Sequence, residues 1–244
     1  MGQVLVEEKS VVVPGEVLAD GMDFLPGFGT YRKGDKILAL QLGLAHVDGR
    51  AIKLISLSGK YFPKRNDVII GKVIDVMMSG WRIDLNCAYS AMLGMKDATS
   101  EFIQKGTDLT QYFALGDYIV TKVVNVTSQR LIDVSTRGPG LRKLSGGRII
   151  TINPNKVPRV IGKQGSMVTM IKETTGCRII VGQNGRIWLA GEPENEVLAV
   201  KTIKKIEAES HVPGLTEKIK VYLDSKKKEV VKTAPEKKDN EEGA

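Results

Sequence analysis

The sequence predicts a multidomain chain: an all-β N-terminal module, then a β-barrel, then an α+β unit of order β-α-α-β-β-α. Three observations lead there. Short apolar runs bounded by Gly and Pro fill the first 137 of 244 residues, the pattern of strands and tight turns. Helical periodicity enters only after about residue 155. The basic excess is confined to one stretch: net charge is +8, and residues 138–186 alone hold nine Lys and Arg against the single acid Glu173. A uniform excess serves solubility, whereas a localised one is an anion-binding footprint.

Residues 1–62 form the N-terminal module. "SVVVPG", "KILALQLG" and "RAIKLISLSG" are β-type runs, and "PGE", "ADG", "PGFG" and "RKGD" are turns between them. The module has no charge bias and no catalytic grouping, so docking to a partner is its expected use.

Residues 63–138 hold five strand-like runs, a number that suits an OB-type barrel. "WRIDLN" places Trp81, Ile83 and Leu85 on one face and Arg82, Asp84 and Asn86 on the other. Before it, "DVIIGKVIDVMM" has Gly71 where a strand can bend sharply. "LGDYIVTKVVNV" and "RLIDVS" read as a hairpin across "TSQ". Barrels of this type bind single-stranded nucleic acid with a basic groove and stacking aromatics. Trp81 and Tyr89 are the aromatic candidates, although Trp81 sits on the apolar face and is equally a core residue. Lys64, Arg65, Arg82 and Arg130 are the candidate cations.

Residues 139–214 change character. "RIITI" is a strand, and Asn155 is placed to cap a short helix, "KVPRVI", with Pro158 in its first turn. A second helix, "SMVTMIKETT", ends at Gly176. "CRIIV" and "RIWLAG" are strands joined through Gln183-Asn184-Gly185, and a long helix from Pro193 shows Val197, Val200, Ile203 and Ile206 along one face.

Two glycine pairs share one spacing and differ in context. Gly182 and Gly185 join two strands and read as a hairpin turn. Gly162 and Gly165 join two helices, at the N-terminus of the second. Glycines there let a phosphodiester backbone approach, and the helix start offers N–H groups and positive dipole to phosphate. Lys163 stands on the tip, with Gln164 beside it, Arg159 one turn back and Ser166 opening the next helix. A GxxG loop between two helices is the clamp of KH domains, which hold four single-stranded nucleotides. The order of elements is that of a type I KH domain.

Chemistry of other kinds is not expected. Cys87, Cys177, His46 and His211 are the only cysteines and histidines, and none has a partner at metal-ligand spacing. No catalytic residue, metal or cofactor is expected. No apolar run is long enough to span a bilayer, and "MGQVLVEEKS" turns acidic at once, so the expected location is cytoplasmic. Residues 215–244, rich in mixed charge, are expected to form a disordered tail.

The combination of pieces resembles the S1/KH cap subunit of the RNA exosome. The resemblance covers about residues 8–215 and rests on "VVVPGEVLADG", "GFGTYRKGD", "GKYFPKRNDVIIGKV", "DVSTRGPGLRKLSGGRIITI" and "VIGKQGSMV". It implies a non-catalytic subunit, three copies of which cap a hexameric ring of RNase PH-like phosphorolytic subunits. The N-terminal module would dock on the ring, while barrel and KH domain would feed it single-stranded RNA, with A-rich tails favoured. The intact glycine loop is similar to archaeal members. One departure is "AMLGMKDATS" in place of the Gly-Leu-Leu-His stretch of S1-type barrels, which implies that this barrel contacts RNA mainly through charge. A NusA-like transcription factor also runs from S1-type barrel to KH, but with tandem KH domains and a helical start. A polynucleotide phosphorylase-like enzyme needs two catalytic domains, and sixty residues cannot hold them.

Overall fold

A computed structural model describes residues 2–104, 106–210, 212 and 214–233. The chain forms two compact units, residues 1–60 and 61–244. His211 and residues 234–244 of the expected tail lie outside the described residues.

The first unit is all-β. Its strands are β1 (Gln3–Val4), β2 (Val11–Val12), β3 (Val17–Asp20), β4 (Leu25–Pro26), β5 (Thr30–Lys33), β6 (Lys36–Ala39), β7 (Gly43–Asp48) and β8 (Ala51–Ser56). They build two four-stranded sheets, ordered β1-β3-β6-β5 and β2-β7-β8-β4. Alternation along each strand sends one face inward. Leu18, Ile37, Ala45 and Ile52 are fully buried and, with Val12 and Leu54, make the core. Glu8 ties the loop after β1 to β7: its carboxylate accepts the Val47 N–H at 2.9 Å and faces His46 Nδ1 at 2.5 Å. The Val47 N–H, and then His46, hold the Glu8 carboxyl below its ordinary range.

The second unit begins with β9 (Val68–Met77), β10 (Gly80–Asp84) and β11 (Ser90–Gly94), followed by the single turn α1 (Met95–Ala98). Then come β12 (Tyr118–Val126) and β13 (Ile132–Ser135). Strand order β13-β11-β10-β9-β12, with β12 pairing back to β13, closes a five-stranded OB-type barrel. Trp81, Ile83 and Leu85 all point into it and are fully buried, as the alternation in "WRIDLN" requires. β9 is shared between two partners, its first half pairing with β12 and its second with β10. Gly71 sits at the changeover, where a Cβ would run into Ile83 Cγ2.

β14 (Lys143–Leu144) adds a short pairing to β12 and leads into β15 (Arg148–Thr151). After it run α2 (Val157–Ile161), α3 (Ser166–Thr175), β16 (Arg178–Val181), β17 (Arg186–Ala190) and α4 (Pro193–Ala208). The antiparallel sheet has order β15-β17-β16. This is a type I KH domain.

Three details differ from the sequence expectation. The cap is Asn153 rather than Asn155: its Oδ1 accepts the Asn155 N–H at 3.0 Å, because a 3-10 turn over Pro154–Lys156 precedes α2 and Pro154 takes its first position. On α4 the buried stripe is Leu198, Ala199, Thr202, Ile203 and Ile206, while Val197 is 40% exposed. The third difference is the largest. Residues 215–233 are not a disordered tail but a helix, α5 (Leu215–Thr233), packed on α3 and α4. Leu215, Ile219 and Leu223 recur at helical spacing and are buried in the KH core, with Tyr222 partly buried beside them and Lys205 over its ring. The charged residues between them occupy the outer face.

Candidate nucleic-acid interface

The glycine corner between α2 and α3 has a backbone that few residues adopt. Gly162 has φ 76° and ψ 175°, Gln164 has φ 53° and Gly165 has φ 82°. The two glycines do different things. A Cβ on Gly162 would meet Met167 N at 2.7 Å and Met167 Cβ at 2.8 Å, so this glycine seats the loop on the start of α3. A Cβ on Gly165 would meet nothing within 4 Å, so that side of the loop faces open space. No side chain caps α3 and no acid occupies its first turn. The positive end of the helix is therefore not neutralised locally. Lys163, Gln164, Ser166 and Arg159 are all exposed around it. Among the described residues, neither Lys163 nor Arg159 forms an ion pair.

The basic stretch around this loop is partly structural. Arg186 pairs with Asp84 of the barrel, Lys143 pairs with Asp117 at 2.5 Å, and Lys156 Nζ donates to the Glu207 carbonyl at 2.9 Å. The charge left for an anion is thus more concentrated at the loop than the count of nine implies.

The structure sorts the barrel candidates. Trp81 is a core residue and no surface platform: it is fully buried, its Nε1–H donates to the Phe113 carbonyl at 2.9 Å, and its ring meets Phe113 edge-on at 5.3 Å. The alternation of β10 decides this, since Trp81 shares its face with Ile83. Arg82 is on the outer face, between Asp75 of β9 and Met92 of β11 in register. Lys64 and Arg65 are exposed in the segment before β9. Arg130 lies in the β12–β13 turn with φ 64°, its guanidinium 4.3 Å from the centre of the Phe62 ring. Neither Arg82 nor Trp81 belongs to that cluster.

Phe62 was missed by the sequence reading. Its only signal is its place in "KYFPKR", an aromatic set among three cations. Burial pushes the Cys87 thiol up, away from the reactive thiolate. Among the described residues no group of three or more His, Cys, Asp or Glu side chains is placed to hold a metal, and no helix is long and apolar enough to cross a membrane.

Comparison with known proteins agrees with this arrangement. A family model described as KH domain matches residues 147–195, from the start of β15 into α4. The exosome complex component Rrp4 of Thermococcus kodakarensis is 43% identical over 234 residues, which cover 94% of this chain and 91% of the relative. This chain belongs to the archaeal Rrp4 family. The Rrp4 of Picrophilus torridus, 41% identical, is covered over 95% of its length. A crystal structure assigned to an exosome complex RNA-binding protein superposes with TM-score 0.64 at 34% identity, over 71% of this chain and 99% of the other.

In this Rrp4-family chain the second glycine pair is also more than a turn. Gly182–Gly185 joins β16 to β17, and its Asn184 is fully buried against the barrel. The Asn184 amide donates to the Ile70 and Leu85 carbonyls at 2.8 and 2.9 Å. Its Oδ1 accepts the Ile70 N–H at 3.3 Å, and the Gln183 N–H reaches the Val68 carbonyl at 2.9 Å. Beside this contact, Trp188 of the KH sheet packs with Ile70, Val120 and Leu144. Barrel and KH domain are therefore locked together, and each presents its cations from a fixed position.

Proposed function

We propose that this chain is a non-catalytic, RNA-binding cap subunit of an exosome, which captures single-stranded RNA and feeds it to a phosphorolytic 3′–5′ exoribonuclease. The observation that carries the reading is the Gly162–Gly165 loop of an Rrp4-family chain: open, uncapped, with no acid in the first turn of α3, and flanked by Lys163 and Arg159, which form no ion pair among the described residues. Phosphate binds such a helix start through N–H groups and dipole, and the KH clamp reads single strands. Arg159, Lys163, Gln164, Ser166 and the two glycines are the proposed contacts, with Lys64, Arg65, Arg82 and Arg130 as barrel cations.

The proposed assembly is three such caps on a hexameric ring of RNase PH-like subunits. A docking role for the N-terminal unit is supported by its surface. Val11, Leu44 and Ile55 stand side by side across β2, β7 and β8, and Val11 and Ile55 are 62% and 50% exposed. Apolar stripes of this kind mark protein interfaces. Preference for A-rich tails belongs to the same reading.

Native mass spectrometry of the chain captured from its host's lysate tests the assembly. Three copies on a ring of six RNase PH-like subunits is the expected result. Capture with RNA polymerase and no ring overturns it in favour of a NusA-like role. Phosphate-dependent shortening of RNA by the purified chain alone overturns the non-catalytic assignment.

A further inference from the structure

We propose that the open edge of β15 docks an extended, acidic segment of a partner protein, which adds a strand to the KH sheet and sets an apolar side chain into the cleft beside the barrel. The proposal goes beyond RNA capture and uses neither the Gly162–Gly165 loop nor the barrel cations.

β15 pairs with β17 and with no other strand among the described residues. The Ile152 N–H donates to the Gly185 carbonyl at 2.8 Å, and this bond sets the phase of the ladder. Arg148 and Ile150 turn their backbone groups to β17, while Ile149 and Thr151 turn theirs outward. Lys204 Nζ meets the Thr151 carbonyl from that outer side at 2.8 Å. The Ile149 N–H, the Ile149 carbonyl and the Thr151 N–H have no partner among the described residues. Such an edge is a template for another strand.

A cleft of about 370 Å³ opens beside this edge, lined by Ile149 and Trp188 of the KH sheet and by Tyr118 and Leu144 of β12 and β14. Ile149 packs toward the barrel, whereas its neighbour Ile150 packs with the helical core. A residue paired opposite Ile149 therefore carries its side chain on the cleft side, because paired residues share a face. The walls are fixed: Trp188 Nε1–H donates to the Gly146 carbonyl at 2.8 Å, and Asp117 at the rim accepts the Ala114 N–H at 2.7 Å. Main-chain bonding with a side-chain pocket alongside is how sheet edges capture extended peptides.

Charge decides the kind of partner. Residues 138–156 carry Arg142, Lys143, Arg148 and Lys156 and no acid. Lys143 is engaged by Asp117, the one acid lining the cleft, at 2.5 Å, and Lys156 by the Glu207 carbonyl at 2.9 Å. Arg142 and Arg148 are exposed and form no ion pair among the described residues. A second copy of this chain would bring like charges to the edge, whereas an acidic strand complements them.

The test selects binders of the full chain from a phage-displayed library of random decapeptides. The enriched peptide is then synthesised for fluorescence anisotropy and amide hydrogen exchange. Enriched sequences alternate Asp or Glu with apolar residues, and binding slows exchange at the Ile149 and Thr151 amides. Thr151→Pro removes one outward N–H at an exposed edge position and leaves the β17 ladder whole, so affinity falls about tenfold. Arg148→Glu keeps every backbone group and weakens binding severalfold. The exchange pattern of the parent chain and the Arg148→Glu variant decide the matter however well proline is tolerated. No enrichment of acidic peptides, or binding that spares both amides, overturns the proposal. Slowed exchange at these amides when the chain is concentrated without peptide makes the occupant a second copy. Displacement of the peptide by a twelve-nucleotide oligouridylate, with both amides still protected, makes the occupant RNA. Either of these results overturns a protein partner.

Discussion

Asn184 completes the backbone of Ile70, donating to its carbonyl at 2.8 Å and accepting its N–H at 3.3 Å. A side-chain amide in a KH hairpin thus serves as an extra strand partner for the barrel. Replacing it takes this partner from the Ile70 N–H and the Leu85 carbonyl, while the Ile70 carbonyl keeps Arg186 Nη1 at 3.3 Å, at about 1–3 kcal/mol for each lost group. Asn184→Leu is expected to lower stability by about 2–4 kcal/mol, measured by urea unfolding. Barrel and KH probes should also separate into two transitions, because the seam couples them. A single transition at the parent midpoint would show that Asn184 does not hold the domains together.

The two loop glycines should separate stability from binding. Gly162→Ala brings a Cβ to 2.7 Å from Met167 N and is expected to lower the melting temperature by several degrees. Gly165→Ala meets only the strain of its φ of 82° and should cost about 1–2 kcal/mol. Thermal unfolding of both variants checks the order, and equal losses would mean that the seat on α3 is not tight.

Charge reversal on the loop tip leaves both glycines in place. Aspartate also tolerates the left-handed conformation that Gln164 adopts, so Lys163→Asp with Gln164→Asp should keep the circular dichroism spectrum. RNA affinity should fall at least tenfold, and the slope of log affinity against log salt should flatten by about one unit for the lost phosphate contact. Unchanged affinity and slope would place the phosphate contacts elsewhere.

Truncation tests the C-terminal helix. Ending the chain at Gly214 removes Leu215, Ile219 and Leu223 from the KH core and should abolish cooperative folding of that domain. Leu223→Ala in the full chain should cost about 2–5 kcal/mol. An intact KH transition after truncation at Gly214 would make α5 an accessory rather than part of the core.

The Glu8–His46 contact was hidden from the sequence for a plain reason: the two residues are 38 positions apart. Local signals behaved differently. The alternation in "WRIDLN", the helix-glycine-helix order and the hairpin across "TSQ" each depend on neighbours within a few residues, and each is in the structure. Composition misled at α5, where the high charge of residues 215–233 masked a four-residue apolar period. A pattern that buries three side chains is enough to fix a helix once a core is present to receive them.

By itself the sequence determined the three-part order, the faces of the barrel strands and the glycine corner with its cations, because these follow from spacing and local backbone preference. The tertiary structure alone decided which cations remain available, that Trp81 is core while Phe62 carries Arg130, and that Asn184 seals barrel to KH domain. Those outcomes depend on groups brought together by chain closure, and an isolated residue carries no sign of the partner that will neutralise, bury or expose it.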